Sequence, residues 1–230
     1  MSDERRRSRR SSPPRSAVSR VERLIVSVGL VVALVAGVVA YQVVGLYGDG
    51  AFTIGYRRTR DPETGKSLLV HETRTNEGVV RRVIDGRTLT EVRLDADGDG
   101  REDARAHVTG TDVTRLDRDS DSDGRIDAWE YYDPQKQLVK VGFSLAGDGV
   151  PDAWAYRDNE RQVMKIEVST RRDGTIDRWE YYDKGQLARN EEDTDHDGRV
   201  DRWSTYEGGV LMNTAVDANR DGRPDAGLTP

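Results

Sequence analysis

The stretch Asp119-Ser120-Asp121-Ser122-Asp123-Gly124-Arg125-Ile126-Asp127-Ala128-Trp129-Glu130 decides how the chain is read. Its carboxylates stand at positions 1, 3, 5, 9 and 12 and its glycine at position 6, the arrangement of a loop that wraps a hard cation in oxygen ligands. Alternate residues of a tightly curled loop face inward, so Asp119, Asp121 and Asp123 can converge on one ion. The Arg125 carbonyl can add an oxygen, and Asp127 and Glu130 can close the shell. Gly124 stands where the sharp turn calls for a residue without a Cβ. Without a cation such a cluster is costly, since like charges about 4 Å apart repel by roughly 1 kcal/mol per pair in water and about 4 at an effective dielectric of 20. Calcium suits this donor set; magnesium accepts many-ligand protein cages poorly.

The stretch recurs along the chain. The loop glycines Gly100, Gly124, Gly149, Gly174, Gly198 and Gly222 are separated by 24 or 25 residues, the mark of a repeat architecture. An apolar residue stands six before each loop (Leu89, Val113, Leu138, Val163, Leu187, Leu211), and a tryptophan follows four of the glycines by five (Trp129, Trp154, Trp179, Trp203). Between loops, β-branched and aromatic residues alternate with polar ones, and short turns such as Asp183-Lys184-Gly185 interrupt them, favouring strands over helices. The expected fold is mainly β: tandem 24–25-residue β-hairpin repeats over 95–230, in a meander or solenoid-like array whose units support one another. Ahead of them 47–94 reads as a cap of two hairpins. One turns through Asp61-Pro62-Glu63-Thr64-Gly65 and the other at Asp85-Gly86, a strong hairpin-turn pair.

The six loops are unequal. The first offers Asp95, Asp97, Asp99 and Asp103; the second Asp119, Asp121, Asp123 and Asp127, with Glu130 as a bidentate closure. The fifth offers Asp193, Asp195, Asp197 and Asp201, and the sixth Asp217, Asn219, Asp221 and Asp225. The third keeps Asp148 and Asp152 but has Ser144 and Ala146 at positions 1 and 3; the fourth keeps Asp173 and Asp177 but has Ser169 and Arg171. Four calcium loops are therefore expected, and two that retain the turn without the ion, Arg171 putting a cation where a carboxylate is needed. A turn between strands asks for one Asp and one Gly, whereas four loops with the same four acidic or amide positions ask for an ion. The expected affinity is that of extracellular modules, on the order of 10⁻⁴–10⁻³ M.

The pattern Asp-x-Asp-x-Asp-Gly-x-x-Asp resembles the EF-hand-like calcium loops that no helix follows, as in thrombospondin type 3 repeats and FG-GAP propeller blades. The resemblance covers about 95–225 and implies that the aspartates at positions 1, 3, 5 and 9 ligate calcium. The chain departs from these groups in having no cysteine and too few residues per repeat for a four-stranded blade. Dockerin loops are similarly spaced but lead into helices, whereas Trp129-Glu130-Tyr131-Tyr132-Asp133 reads as a strand. The text between loops is also similar to bacterial Tyr-Tyr-x-x-Gly-x-Leu repeats.

The rest of the composition bounds the role. With no cysteine among 230 residues there are no disulfides, thiolate nucleophiles, cysteine zinc sites or lipoprotein cysteine, so bound calcium is a candidate stabiliser. Eight arginines in 1–46 stand against Asp3, Glu4 and Glu22, a balance of +5 that leaves −11 of the total −6 to residues 47–230. An acidic main part argues for cations and against nucleic acid. Residues 1–23, rich in Arg and Ser, read as a disordered cytoplasmic tail. Leu24 to Leu46 is long and apolar enough to cross a bilayer, and the arginines before it place the N-terminus inside and 47–230 outside the membrane. The rival reading is a cleaved signal peptide and a secreted product. Gly29, Ala33 and Gly37 form a small-residue row that could pair two such helices.

Trp129, Trp154, Trp179 and Trp203 share a register with Tyr131, Tyr156 and Tyr181 two residues on. As core they would be the common stripe of the repeats; as surface they would be a platform for envelope glycans or a protein partner. His71, His107 and His196 lie in three unrelated contexts, His196 at an outward loop position, and no nucleophile motif or singled-out carboxylate pair appears, so no enzyme is expected. The expectation is a calcium-binding, extracytoplasmic structural or adhesive repeat protein held by one membrane helix; the alternative is a cell-wall or polysaccharide-binding module using the aromatic stripe.

Overall fold

The computed structural model describes residues 52–61 and 64–225; the proposed tail (1–23) and membrane span (24–46) lie outside the described residues. Among those described, no helix is long and apolar enough to cross a membrane. Fourteen strands follow one another: β1 (Phe52–Arg60), β2 (Ser67–Thr75), β3 (Gly78–Asp85), β4 (Thr88–Asp95), β5 (Ala104–Thr109), β6 (Asp112–Arg118), β7 (Ala128–Tyr132), β8 (Leu138–Phe143), β9 (Ala153–Arg157), β10 (Val163–Val168), β11 (Arg178–Asp183), β12 (Gln186–Glu192), β13 (Arg202–Glu207) and β14 (Val210–Val216). They form one open antiparallel sheet in strict sequence order. The meander expected from the repeats is therefore an open ribbon, and β1–β4 belong to the same sheet as the repeats.

The register gives the sheet two unlike faces. Across one face runs Val92, Ala106, Leu116, Glu130, Val141, Ala155, Ile166, Glu180, Asn190 and Ser204, each opposite the next. It holds two apolar clusters, one around Val80, Val92, Ala106 and Leu116, the other around Ala128, Val141, Phe143, Ala155 and Ile166. Leu116 and Ile166 are 1% and 2% exposed although each strand touches chiefly its two neighbours in the meander. Two features of sequence account for this. Alanines beside larger residues let side chains interdigitate, and a bulge recurs near the turn end of the hairpins, as at Tyr131/Tyr132 and Tyr181/Tyr182. A bulge raises local twist and re-aims the residue beyond it. The extra residue sits on the second strand of each hairpin (Thr90, Thr114, Val139, Met164), so Leu89, Val113, Leu138 and Val163 beyond it turn onto the clustered face, where Tyr132 and Tyr182 also pack by plain alternation from Glu130 and Glu180.

The tryptophans lie on the other face, opposite both clusters, because they pair with Asp117, Gly142, Glu167 and Glu191 rather than with the apolar row. Trp129 is buried and Trp154, Trp179 and Trp203 are half-buried. Next to them Arg115, Tyr131, Lys140, Tyr156, Lys165, Tyr181 and Arg189 alternate cation with ring across seven strands. The Lys140 ammonium stands 3.8 Å from the Trp154 ring centre and the Arg189 guanidinium 4.2 Å from that of Tyr181, contacts worth about 0.5–1 kcal/mol each at exposed sites. From Tyr131 to Tyr181 the stripe is thus a mixed layer of rings and cations rather than bare rings.

Candidate metal centres along one rim

Because the strands are antiparallel in sequence order, every second connection falls at the same end, and the acidic loops all lie on one rim. Five of them join β4–β5, β6–β7, β8–β9, β10–β11 and β12–β13, and the sixth follows β14. Their bases are stitched together: the backbone N–H of Asp119, Ser144, Ser169, Asp193 and Asp217 donates to the carbonyl of Asp103, Asp127, Asp152, Asp177 and Asp201 respectively, at 2.6–2.9 Å. Position 1 of each loop is in this way tied to position 9 of the loop before.

Inside each loop much of the acidic pattern serves the backbone. The carboxylate at position 5 accepts the N–H at position 7 in all six, as Asp99 from Arg101 at 2.7 Å and Asp173 from Thr175 at 2.9 Å. The carboxylate at position 9 accepts an N–H near the start: Asp103 from Ala96, Asp127 from Ser120, Asp152 from Ala146, Asp177 from Thr170, Asp201 from Thr194 and Asp225 from Ala218. The glycine at position 6 has a φ between 81° and 94° throughout, the left-handed region a side chain resists. At Gly124 a Cβ would also strike the Arg101 side chain, which reaches over to donate to the Asp123 carbonyl at 3.0 Å. Turn chemistry therefore uses positions 1, 5, 6 and 9, more than the one Asp and one Gly expected of it.

The loops divide in the charge that they carry at positions 1 and 3. In the first, second and fifth, ligand oxygens of Asp95, Asp97 and Asp99, of Asp119, Asp121 and Asp127, and of Asp193, Asp195 and Asp197 lie within 4.8 Å of one another. These three groups could hold a metal ion. In the third and fourth loops Ser144 and Ser169 replace the carboxylate at position 1, so less charge gathers there, whereas the first loop sets Arg81 3.1 Å from Asp95. Ser144 Oγ donates to Asp148 and Ser169 Oγ to Asp173, both at 3.2 Å, and Arg171 pairs with Asp173 at 3.2 Å. Ionisation follows suit. Burial, and after it the charges of Asp121 and Asp119, push Asp127 above the usual carboxylate range despite its bonds from Ser120. The Thr175 N–H, the Ser169 hydroxyl and Arg171 hold Asp173 below that range.

The remaining expected ligands are placed as follows. Asp123 lies outside the second group and accepts the Arg125 N–H at 2.8 Å. The sixth loop forms no three-carboxylate group among the described residues: Asn219 Nδ2 donates to Asp225 at 3.0 Å, while Asp217 accepts the Asp221 and Gly222 N–H groups. Glu130 departs most from expectation. A helix after the loop would bring position 12 back to an ion, but here β7 carries Glu130 onto the buried face. It is 0% exposed, accepts the Tyr132 hydroxyl at 2.5 Å and faces Arg118 Nη2 at 2.7 Å, an ion pair without hydrogen-bond alignment. Glu180 repeats the arrangement with Tyr182 at 2.6 Å and Arg178 at 2.8 Å.

Two further contacts escaped the sequence reading. His196, expected to be solvated, places Nδ1 3.4 Å from Asp177 of the loop before, and Arg220 places Nη2 2.8 Å from Asp195. Both stand at position 4, where φ is 59° and 61° and the side chain is turned back along the rim. The only available signal was a long polar residue at that position.

The fold and rim define a class: a single-sheet β-meander of hairpin repeats with acidic loops able to hold cations. No family model matches the chain and no curated protein matches it. Among solved structures it is similar to a point mutant of S. aureus TarM in complex with fondaparinux, alpha-GlcNAc-glycerol and UDP, at 10% identity and TM-score 0.33 over 61% of this chain and 23% of that one. It is likewise similar to TarM at 12% identity and TM-score 0.24, with the same coverage, 61% and 23%. The chain spans under a quarter of those proteins, and likeness at these scores carries no argument about either fold or function.

Proposed function

We propose that the chain is a calcium-binding structural repeat protein of the cell envelope, with 24–46 as its membrane anchor and the sheet outside. The observation that carries this reading is the division among loops. Where a serine at position 1 donates to the position-5 carboxylate, with Arg171 paired to it in the fourth loop, the metal ligand set is incomplete; where positions 1 and 3 are both aspartate, three carboxylates converge. Calcium accepts 6–8 oxygens at 2.3–2.6 Å in irregular shells, which suits loops whose backbone is already fixed by turn bonds. Ions in loops one, two and five would tie position 1 to position 3 and so stiffen the rim; loop six, with the Asn219 amide on Asp225, would bind more weakly. The array then acts as a spacer or display surface, rigid at high external calcium and looser when calcium is scarce. No catalytic role is part of this reading. The glycan-platform alternative is opposed at Trp154, where Lys140 stands over the ring that a sugar would need.

The test is calorimetric titration of the full-length chain in detergent with calcium, alongside melting curves in calcium, magnesium and EDTA. About three binding events and a melting temperature that rises with calcium and hardly with magnesium are expected. Neither heat nor shift would reduce the loops to turns.

A further inference from the structure

We propose that the β14 edge is a docking surface for a second copy of this chain, paired antiparallel through β14 about a two-fold axis. The repeats supply the internal comparison. Of the fourteen strands β14, Val-Leu-Met-Asn-Thr-Ala-Val, is the one without a charged residue. In the register of Asn213 the preceding hairpins carry Glu91, Arg115, Lys140, Lys165 and Arg189. In the register of Ala215 they carry Arg93, Asp117, Gly142, Glu167 and Glu191. Charge, present at nine of those ten positions, is absent from both here, on the strand whose outer N–H and C=O groups meet no neighbouring strand among the described residues.

Apolar surface is left there as well. Leu211 corresponds to Leu89, Val113, Leu138 and Val163, which pack against the two clusters, yet it is 46% exposed. Val210, where the neighbouring hairpins have Thr88, Asp112 and Gln186, is 62% exposed. Open edges are ordinarily blunted by charge, proline or a covering element. The opposite edge follows that rule: β1 carries Arg57, Arg58 and Arg60, which repel a second β1.

Self-pairing of β14 fits the electrostatics and closes. Antiparallel strands are hydrogen-bond complementary to themselves, and the two-fold pairing is finite where head-to-tail stacking would run on. It also sets the acidic rims of the two copies at opposite ends of the shared strand pair, so the rims do not confront each other. The pairing is independent of whether the loops hold ions.

The absence of native cysteine makes the test clean. Across an antiparallel pair the Cα separation is about 4.5–5.5 Å, within disulfide range, so Asn213→Cys near the axis should oxidise to a covalent dimer. Full-length Asn213→Cys, Thr205→Cys (one strand inward, on β13) and the double variant Asn213→Cys with Leu211→Lys are oxidised mildly and run without reductant. The expected result is dimer as the main product from the first, and its loss from the other two. Monomer from Asn213→Cys, or as much dimer from Thr205→Cys, overturns the proposal, the latter by showing association through another part of the chain.

Discussion

Asp121→Ala separates the ion site from the turn. Position 3 of the third loop is already alanine, Ala146, and that loop keeps its turn bonds, so the backbone tolerates the change. Asp121 accepts one weak bond, from the Asp123 N–H at 3.3 Å, whose loss costs about 0.5–1 kcal/mol. Against that, its carboxylate is within 4.8 Å of those of Asp119 and Asp127. Asp121 is exposed, so the water limit applies, about 0.9 kcal/mol of repulsion per pair. Without calcium the variant should therefore be more stable than the parent by about 1 kcal/mol, or about 2–4 °C for a domain of this size. With calcium the order reverses. A site with Kd of 10⁻³–10⁻⁴ M contributes about 1.4–2.7 kcal/mol at about 10 mM free ion, from RT ln(1 + [L]/Kd). The variant forfeits that contribution. Paired melting curves in EDTA and calcium measure both differences. A variant less stable by the same amount in both buffers would refute the reasoning, because Asp121 would then be only a turn residue.

Three other expectations follow from the same geometry. The double change Ser169→Asp with Arg171→Asp rebuilds positions 1 and 3 of the fourth loop and should add one calcium to the count by calorimetry, while Arg171→Ala alone should add none. Glu130→Gln leaves Arg118 buried without its charge partner, so it should cost about 3–5 kcal/mol in denaturant melts with calcium stoichiometry unchanged; loss of an ion would return Glu130 to the shell. Burial alone would raise Asp117, but the hydrogen bonds from His107 and Arg115 outweigh it and hold the carboxyl below its ordinary value. A depressed carboxylate stabilises the fold above its unfolded pKa, and that contribution disappears as pH falls through the folded one. The parent should therefore lose stability below about pH 4 more steeply than Asp117→Asn does.

The repeat length and the hairpins were legible in the sequence because one 24–25-residue pattern recurs six times, whereas the single rim follows from the strand order that the structure shows. The apolar residues before each loop were legible for the same reason, and Leu89, Val113, Leu138 and Val163 do pack against the clusters. The placement of the aromatic stripe was not. A period of two says that Trp129 and Tyr131 share a face but not which face is the core, and the bulge at Val139, which turns Leu138 onto the face of Tyr132, breaks that period in the partner strand. Glu130 was misread for a related reason: EF-hand numbering presumes a helix after the loop, and a strand sends position 12 elsewhere. The hydrogen bonding of positions 1, 5 and 9 was hidden because the same aspartate serves a backbone N–H and a cation equally well on paper. Only comparison with the serines, Ser144 and Ser169, tells the two uses apart.

The two stabilising devices are distributed unevenly along the ribbon. Apolar clusters occupy β3 to β6 and β7 to β10. Beyond β10 the buried row continues as Glu180, Asn190 and Ser204 and ends at the half-buried Thr214, and the apolar clusters stop. In the middle, where the second cluster lies, the third and fourth loops carry fewer carboxylates, with Ser144 and Ser169 at position 1 and Arg171 paired to Asp173. Toward the C-terminal end, where hydrophobic burial is least, the fifth loop gathers Asp193, Asp195 and Asp197 with only Arg220 to offset them. Removing calcium should therefore act first on β11 to β14, where repulsion at the rim is opposed by the fewest apolar contacts. Hydrogen exchange reads this by segment. In EDTA the amides of β12 and β13 should lose protection while those of β8 and β9 keep theirs, and calcium should restore the difference. Equal loss along the whole sheet would mean that the ribbon opens as one cooperative unit and that ions at its end are felt throughout.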